Sequence, residues 1–243
     1  MHCIILAGGF STRLHPITKT FPKALLPIKG KAIVDYVYED IRNQEDVFAS
    51  TVVTNTLFFS LFKKHFANAF SEDAVTVLDN GISSCEKRSG AIGDLLFAVK
   101  NQGLQNEDLL VVASDTYTSL KMQDFIRFYN QFKGITTAVF DGHDKERIRG
   151  MLGCVEIKRN RIVGFTEKPE NPATSLMAIP YYIFPKQSIP LLLEFQKASG
   201  GDSPGSFISW VYSRTPTYAY DMGTGKYFDI GTLEHYELAK AKI

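Results

Sequence analysis

The sequence predicts an α/β fold, a mixed, mostly parallel sheet covered by helices on both faces. Three observations carry this expectation. Short apolar runs such as Cys3-Ile4-Ile5-Leu6-Ala7 and Leu109-Leu-Val-Val-Ala113 lack period-2 alternation, as strands buried on both faces do. Amphipathic stretches of helical period lie between these runs, and strands that alternate with helices build parallel sheets. The chain has 243 residues, 44% hydrophobic and 22% charged, which suits one large domain with a substantial core.

Taken in order, the first strand, Cys3–Ala7, is broken by Gly8 and Gly9. Lys31–Asn43 reads as a helix with Ile33, Val34, Val37, Tyr38 and Ile41 on one face. Ser50–Asn55 is a β-branched strand, and Leu57–Phe70 a helix with Leu57, Leu61, Phe62 and Phe66 as its stripe. His65, beside that stripe, reads as a packing or surface residue rather than a ligand. Ala74–Leu78 is a third strand, ended by the turn signal Asp79-Asn80-Gly81. After Glu86–Asp94 comes a helix through Leu95, Leu96, Ala98 and Val99, then a fourth strand, Asp108–Asp115. A helix over Met122–Phe132 and a strand over Ile135–Phe140 close the first half.

The second half changes character. Gly153–Lys158 and Arg161–Pro169 flank Arg159-Asn160 and read as a hairpin. Strands are expected at Ala178–Phe184 and Thr217–Tyr220, helices at Ser188–Lys197, Phe207–Ser213 and Glu234–Lys242, and a loop at Gly200–Gly205. Tyr227–Thr232 leads into the last helix. No internal repeat, low-complexity tract or linker interrupts the chain. The expectation is a single domain over 1–243, with halves 1–140 and 141–243 sharing one sheet.

Composition narrows the function classes. A net charge of +1 gives no reason to expect nucleic acid or an acidic membrane as partner. The three cysteines, Cys3, Cys85 and Cys154, are odd in number and include no C-x-x-C pair, which points away from a disulfide framework or a zinc site and toward a reducing cytoplasm. The N-terminal apolar run is too short for a signal peptide, and no apolar stretch approaches the ~20 residues of a spanning helix. A cytoplasmic protein is expected.

In parallel sheets, ligands sit at the carboxyl ends of the strands. Gly8, Asn80 and Asp115 all follow strand ends and should share one rim. Glycine admits positive φ and close backbone approach, and successive N–H groups in such a turn make an anion-binding nest. Arg13 and Lys23 add fixed positive charge, a combination that suits a polyphosphate. The stretch is not a Walker loop, since no Gly-Lys-Ser/Thr comes after it, nor a dinucleotide fingerprint, since Gly8-Gly9-Phe10-Ser11-Thr12-Arg13 lacks the last glycine. Taken alone, Asp115 reads better as the cap of the next element in the chain, and Asp229 has a similar reading. Two carboxylates converging on one rim would suit Mg²⁺, which takes one or two carboxylates plus substrate phosphates.

The stretch Leu6-Ala-Gly-Gly-Phe-Ser-Thr-Arg-Leu-His-Pro-Ile-Thr, continued by Pro22-Lys23-Ala-Leu-Leu-Pro27, resembles the signature of the sugar-1-phosphate nucleotidyltransferases, or nucleotide-sugar pyrophosphorylases. It departs at Ser11, where that family usually has glycine. The resemblance extends over nearly the whole chain and implies a Rossmann-like sheet of the nucleotide-diphospho-sugar transferase type. It further implies that Leu6, Ala7, Gly8, Gly9, Ser11, Thr12, Arg13, Lys23, Asn80 and Gly90 bind the nucleotide in the first half. Ser114-Asp115 resembles the family's Gly-Asp, without its glycine, and Asp229-Ile-Gly-Thr232 its late Asp-x-Gly-Thr; the resemblance implies that these two aspartates hold Mg²⁺. Glu167-Lys168-Pro169 resembles the family's Glu-Lys-Pro, implying that Glu167 binds sugar hydroxyls and Lys168 the sugar phosphate. Gly153 resembles the glycine that contacts the sugar. One of Tyr181 and Tyr182 is expected at the sugar, with Tyr182 assigned there, because adjacent strand residues face opposite ways. Longer relatives add C-terminal helices or a β-helix, and this chain reads as a minimal catalytic core.

The implied reaction joins an NTP and a sugar 1-phosphate to give a nucleotide sugar and pyrophosphate, with Arg13, Lys23, Asp115 and Lys168 in catalytic roles. A phosphate monoester is largely dianionic at neutral pH, with a second pKa of about 6, and needs no general base. Five scattered histidines without a Ser-His-Asp or Cys-His set agree with that. Glucose 1-phosphate with dTTP or UTP is the first expectation. Cytidylyl or guanylyl transfer to phosphocholine or another sugar 1-phosphate is a second reading, and a catalytically quiet nucleotide-sugar sensing module a third. The expected state is a monomer or homodimer.

Overall fold

Alternate residues of the first strand face two different cores, and the whole architecture grows from that. The structure, a computed structural model, describes residues 1–71, 73, 75–199 and 201–243. Ala74, expected to open the third strand, and Gly200, expected to open a loop, lie outside the described residues.

The first half comprises β1 (His2–Ala7), β2 (Pro27–Ile28), β3 (Lys31–Ala32), α1 (Ile33–Arg42), β4 (Ala49–Thr54), α2 (Phe59–Ala69) and β5 (Val75–Asp79). It continues with α3 (Gly90–Gln102), β6 (Leu109–Ala113), β7 (Thr116–Thr118), α4 (Met122–Phe132) and β8 (Ile135–Asp141). The second half comprises β9 (Gly153–Lys158), β10 (Arg161–Glu167), β11 (Leu176–Phe184), α5 (Ile189–Ser199), α6 (Pro204–Val211), β12 (Thr217–Asp221), β13 (Tyr227–Asp229) and α7 (Leu233–Lys242).

One sheet of nine strands runs through both halves in the order β5-β4-β1-β6-β11-β8-β12-β10-β9. The pairs β5–β4, β4–β1, β1–β6 and β8–β12 are parallel, and every strand except β11 and β10 runs in the direction of β1. Cys3, Ile5 and Ala7 pack with α1, α2 and α4 through Val34, Val37, Phe62, Phe66, Phe125 and Tyr129. Ile4 turns the other way, toward Ile92, Leu95 and Val99 of α3, Phe195 of α5 and Phe207 of α6. Burial on both faces is why these strands carry unbroken apolar runs.

Sequence and structure differ where tight turns or caps decide. Lys31 and Ala32 do not start a helix; they pair with β2 across Lys29 and Gly30, whose φ values of 50° and 82° fit a two-residue hairpin turn. Arg159 and Asn160, at 49° and 67°, turn the β9–β10 hairpin in the same way. The strand expected to reach Asp115 stops at Ala113, and the chain bends into β7. The helix expected from Phe207 starts at Pro204, because Ser203 caps it by accepting from the Ser206 N–H and proline suits the first helical position.

A cleft opens along β11. β6 pairs with its Tyr181–Phe184 stretch, and β9 with Met177 and Ala178. Between them lies Pro180, which has no N–H for a ladder, and the register with β8 shifts across this stretch. A smaller apolar cluster of Leu14, Leu26, Ile28, Ile33, Ile230 and Tyr236 binds the glycine-rich loop to α7. There the Tyr236 hydroxyl donates to the Pro27 carbonyl at 2.6 Å.

Candidate active site

Two cavities meet in the cleft. The first, about 410 Å³, is bordered by the loop after β1, by Asn80 after β5, by the start of α3, and by Asp115. The second, about 210 Å³, is bordered by Gly153 and Glu167 of the hairpin, by Ser203, Pro204 and Gly205 at the start of α6, and by Asp115 and Asp229. Ala113, Asp115, Pro180, Tyr182 and Pro204 border both. A third cavity of about 430 Å³ lies on the other side of β7, among Glu39, Asp40, Tyr117 and Lys121. It meets neither the glycine loop nor Glu167, so we do not place the site there.

The loop after β1 holds its shape by local bonds. Ser11 takes the left-handed conformation, φ 51° and ψ 38°, and its carbonyl accepts from the Leu14 N–H and from the buried Thr18 hydroxyl at 2.7 Å. Serine is uncommon there, which explains why glycine would fit the position. The Gly8 carbonyl accepts from Asn55 Nδ2 at 3.1 Å. A Cβ on Gly8 would stand 2.1 Å from Asp94 Oδ2, so this glycine is required by close approach. Asp94 is 6% exposed. Its Oδ1 accepts from Asn80 Nδ2 at 2.8 Å and from the Ser89 hydroxyl. Burial raises its pKa, while those two hydrogen bonds act in the opposite direction. One buried carboxylate thus joins the loop after β1, the turn after β5 and the start of α3.

The register of β13 on β7 brings the two aspartates together. Asp229 pairs with Thr116, the residue after Asp115, and the Ile230 N–H donates to the Asp115 carbonyl at 3.2 Å. Burial, and next the charge of Asp115, raise the pKa of Asp229, while Lys23, His235 and Arg13 pull it down. Lys23, 12% exposed, sits 2.5 Å from Asp115 Oδ2. This pair fits a hard divalent cation. The two aspartates are oxygen donors, and a positive charge between them would relieve their repulsion. Such an ion would complete its shell with phosphate and water oxygens, as Mg²⁺ does.

On the acceptor side, Glu167 ends β10 opposite Gly153 and accepts from the Ser203 hydroxyl at 3.1 Å. A Cβ on Gly205 would lie 2.0 Å from Glu167 Oε2. Burial raises the Glu167 pKa, opposed by Lys168 and Ser203. Lys168 has φ 48°, a costly conformation for lysine, and its Nζ stands 3.9 Å from Glu167 Oε1.

Of the residues singled out in the sequence, Leu6, Gly8, Gly9, Ser11, Thr12, Arg13, Lys23, Asn80 and Gly90 border the first cavity. Ala7 points instead into the core, where its carbonyl accepts from the Thr54 hydroxyl. Gly153, Glu167 and Asp229 border the second cavity, and Tyr182 both. Tyr181 belongs to the core on the opposite face. Lys168 borders neither cavity; its side chain is 54% exposed beside Glu167. Asp94, Pro180, Ser203 and Gly205 were not among the sequence candidates. Ser203-Pro204 carries a readable helix-start signal, whereas nothing in the sequence marks Asp94 as the joint between three segments.

Comparison with known proteins bears on the family and the fold. A family model described as nucleotidyl transferase matches residues 2–243. A Sulfolobus acidocaldarius protein provisionally named mannose-1-phosphate guanyltransferase is 28% identical over 185 residues, 76% of this chain. The match covers 48% of that relative, so the chain aligns with about half its length. Among solved structures, a Bacillus anthracis protein described as a glucose-1-phosphate thymidylyltransferase, in complex with a sucrose, superposes with a TM-score of 0.79 at 22% identity, covering 99% of this chain and 94% of its own. A UDP-glucose pyrophosphorylase in complex with UDP-glucose gives 0.79 at 21%, covering 99% and 97%. At these identities the superpositions establish the fold. Among the described residues no helix is long and apolar enough to cross a membrane.

Proposed function

The chain belongs to the nucleotidyl transferase family, and from that premise we propose that it joins an NTP to a sugar 1-phosphate and releases pyrophosphate. The observation that carries this reading is the meeting of the two cavities at Asp115, beside Lys23. A nucleoside triphosphate in the first cavity and a phosphorylated alcohol in the second would have their reacting groups at that junction.

In this reading an oxygen of the acceptor phosphate attacks the α-phosphorus in line, and pyrophosphate leaves. The acceptor is already dianionic, so the residues need only position groups and neutralise charge. The N–H groups of Gly8 to Thr12 and the Arg13 guanidinium hold the departing pyrophosphate. Lys23 neutralises charge at the α-phosphate, exchanging its contact with Asp115 for one with substrate. Glu167 accepts from sugar hydroxyls, and Lys168 swings from its exposed position to the acceptor phosphate. Asp115 and Asp229 would hold Mg²⁺, which supplies charge neutralisation on phosphate oxygens.

Glucose 1-phosphate with dTTP or UTP is the first pair to test. The name of the Sulfolobus acidocaldarius relative favours adding mannose 1-phosphate with GTP. Phosphocholine with CTP completes the panel. The test is pyrophosphate release from each NTP with each acceptor. The reading expects release that requires both substrates; binding of a nucleotide sugar without any release would favour a sensing module instead.

A further inference from the structure

One short segment, residues 202–205, is fitted to both sides of the cleft. Its first residue meets the nucleotide side. The Asp202 carbonyl accepts from the Ile92 N–H at 3.1 Å, one of the donors at the start of α3 that have no partner within the helix. Gly90 borders the nucleotide cavity with φ 72°. A Cβ on it would stand 2.4 Å from the Asp202 Cβ, 3.0 Å from its carbonyl oxygen and 3.1 Å from its Cα. None of these atoms can swing aside without moving the backbone of the segment.

The next residues meet the acceptor side. The Ser203 hydroxyl donates to Glu167 Oε1 at 3.1 Å and accepts from the Ser206 N–H at 3.1 Å, with the Ser206 hydroxyl 2.9 Å away. A hydroxyl has one proton to give and two lone pairs, so these partners fix the direction of the Ser203 side chain. Gly205 lies against the other carboxylate oxygen, where a Cβ would be 2.0 Å from Glu167 Oε2. Pro204, between them, borders both cavities. The far end is anchored by the fully buried Phe207 and Ile208 of α6, and by the Ser209 hydroxyl, which donates to the Phe165 carbonyl of β10 at 3.1 Å.

We infer that residues 202–205 form a strut that keeps the acceptor site in register with the nucleotide site, and that Ser203 is the positioning residue that holds Glu167 toward the acceptor hydroxyls. This rests on the nucleotidyl-transfer reading and adds to it how the two substrates are held in line. Four strands separate β1 from β10 in the sheet, whereas the strut links α3 to Glu167 directly. In-line attack depends on such registration, since a misplacement of 1 Å can cost about 10²-fold in rate. Capping α6 uses only the acceptor capacity of the Ser203 oxygen. Its proton goes to Glu167, so the two roles can be separated by substitution.

The test is steady-state pyrophosphate release at saturating NTP, with the acceptor that the substrate panel shows to be turned over fastest. Glycine caps a helix nearly as well as serine, so Ser203→Gly removes the proton donor and keeps α6. It should lower kcat/KM for the acceptor by about tenfold or more, while calorimetric NTP affinity stays put. Ser203→Thr, which keeps the hydroxyl, should recover most of the loss. In a Glu167→Ala background, Ser203→Gly should cost nothing further, because effects carried by one shared group are not additive. Gly90→Ala works from the other end: it displaces Asp202 and should lower acceptor kcat/KM even at saturating NTP, and this loss too should shrink in the Glu167→Ala background. Melting curves confirm folding throughout. Wild-type acceptor kinetics in Ser203→Gly overturn the inference. So does an equal loss in the Glu167→Ala background, which would make Ser203 a helix cap alone, and so does a Gly90→Ala loss confined to NTP affinity. These results leave nucleotidyl transfer standing. Absence of release by the wild type with every substrate pair overturns that reading, and this inference with it.

Discussion

Replacing Gly8 by alanine is the sharpest probe of how the nucleotide side is built. The new Cβ would stand 2.1 Å from Asp94 Oδ2, 3.1 Å from its Cγ and 3.3 Å from Asn80 Nδ2. A free carboxylate would swing aside at little cost. This one is 6% exposed and held by Asn80 and Ser89, so moving it breaks hydrogen bonds to a buried charged group. Overpacking costs about 1–3 kcal/mol, and one lost bond to a charged group about 1.5–3 kcal/mol. Gly8→Ala should therefore destabilise by roughly 2.5–6 kcal/mol and weaken NTP binding more than acceptor binding. The assay is urea unfolding of Gly8→Ala, Asp94→Ala and the double variant, with NTP titration calorimetry on each. The clash disappears in the double variant, so the cycle should show a favourable coupling of about 1–3 kcal/mol. A Gly8→Ala change within about ±0.5 kcal/mol, or strict additivity, would refute the claim that Asp94 keys the loop.

Three further outcomes are expected. Arg13→Ala should lower kcat by ~10²–10³-fold, the loss seen when one preorganised transition-state donor is removed, and Arg13→Lys should recover only part of it because a point charge cannot grip a phosphate bidentately; steady-state kinetics on the three proteins check this. Lys168→Ala should raise KM for the acceptor or lower kcat, while calorimetric NTP affinity stays put; an equal loss of NTP affinity would move Lys168 to the nucleotide side. The raised pKa of Asp94 gives a pH signature. Its carboxyl favours folding fully below the unfolded value of about 3.9 and loses that contribution as pH rises through the higher folded pKa. Asp94→Asn, whose amide oxygen can still accept from Asn80 and Ser89, should melt higher than wild type above neutral pH, and the gap should close toward pH 4; a gap that widens on acidification contradicts the assignment.

Much of the fold was legible because burial on both faces leaves a plain mark. Cys3–Ala7, Leu109–Ala113 and the stripe of α4 emerge directly from apolar runs and helical period. Turn chemistry was less visible: the left-handed Lys29 hides the β2–β3 hairpin, since lysine does not announce positive φ. The rim could be read from strand ends alone, which is why Gly8, Asn80 and Asp115 were expected to share it, and all three border one cavity. The approach of Asp229 to Asp115 could not be read, because it depends on the register of two three-residue strands more than a hundred positions apart. Asp94 was hidden for a related reason: its partners Gly8, Asn80 and Ser89 meet only once β1, β5 and α3 are packed together.

The central claim is attack at the α-phosphorus where the two cavities meet, and positional labelling tests it most directly. Wild type and Asp115→Asn would be incubated with Mg²⁺, the active sugar 1-phosphate, and NTP labelled at either the α- or the γ-phosphate. The account predicts that α-label moves into the nucleotide sugar, γ-label into pyrophosphate, and that folded Asp115→Asn does little of either. Label from the γ-position in the sugar, or near-wild-type turnover by Asp115→Asn, would contradict it.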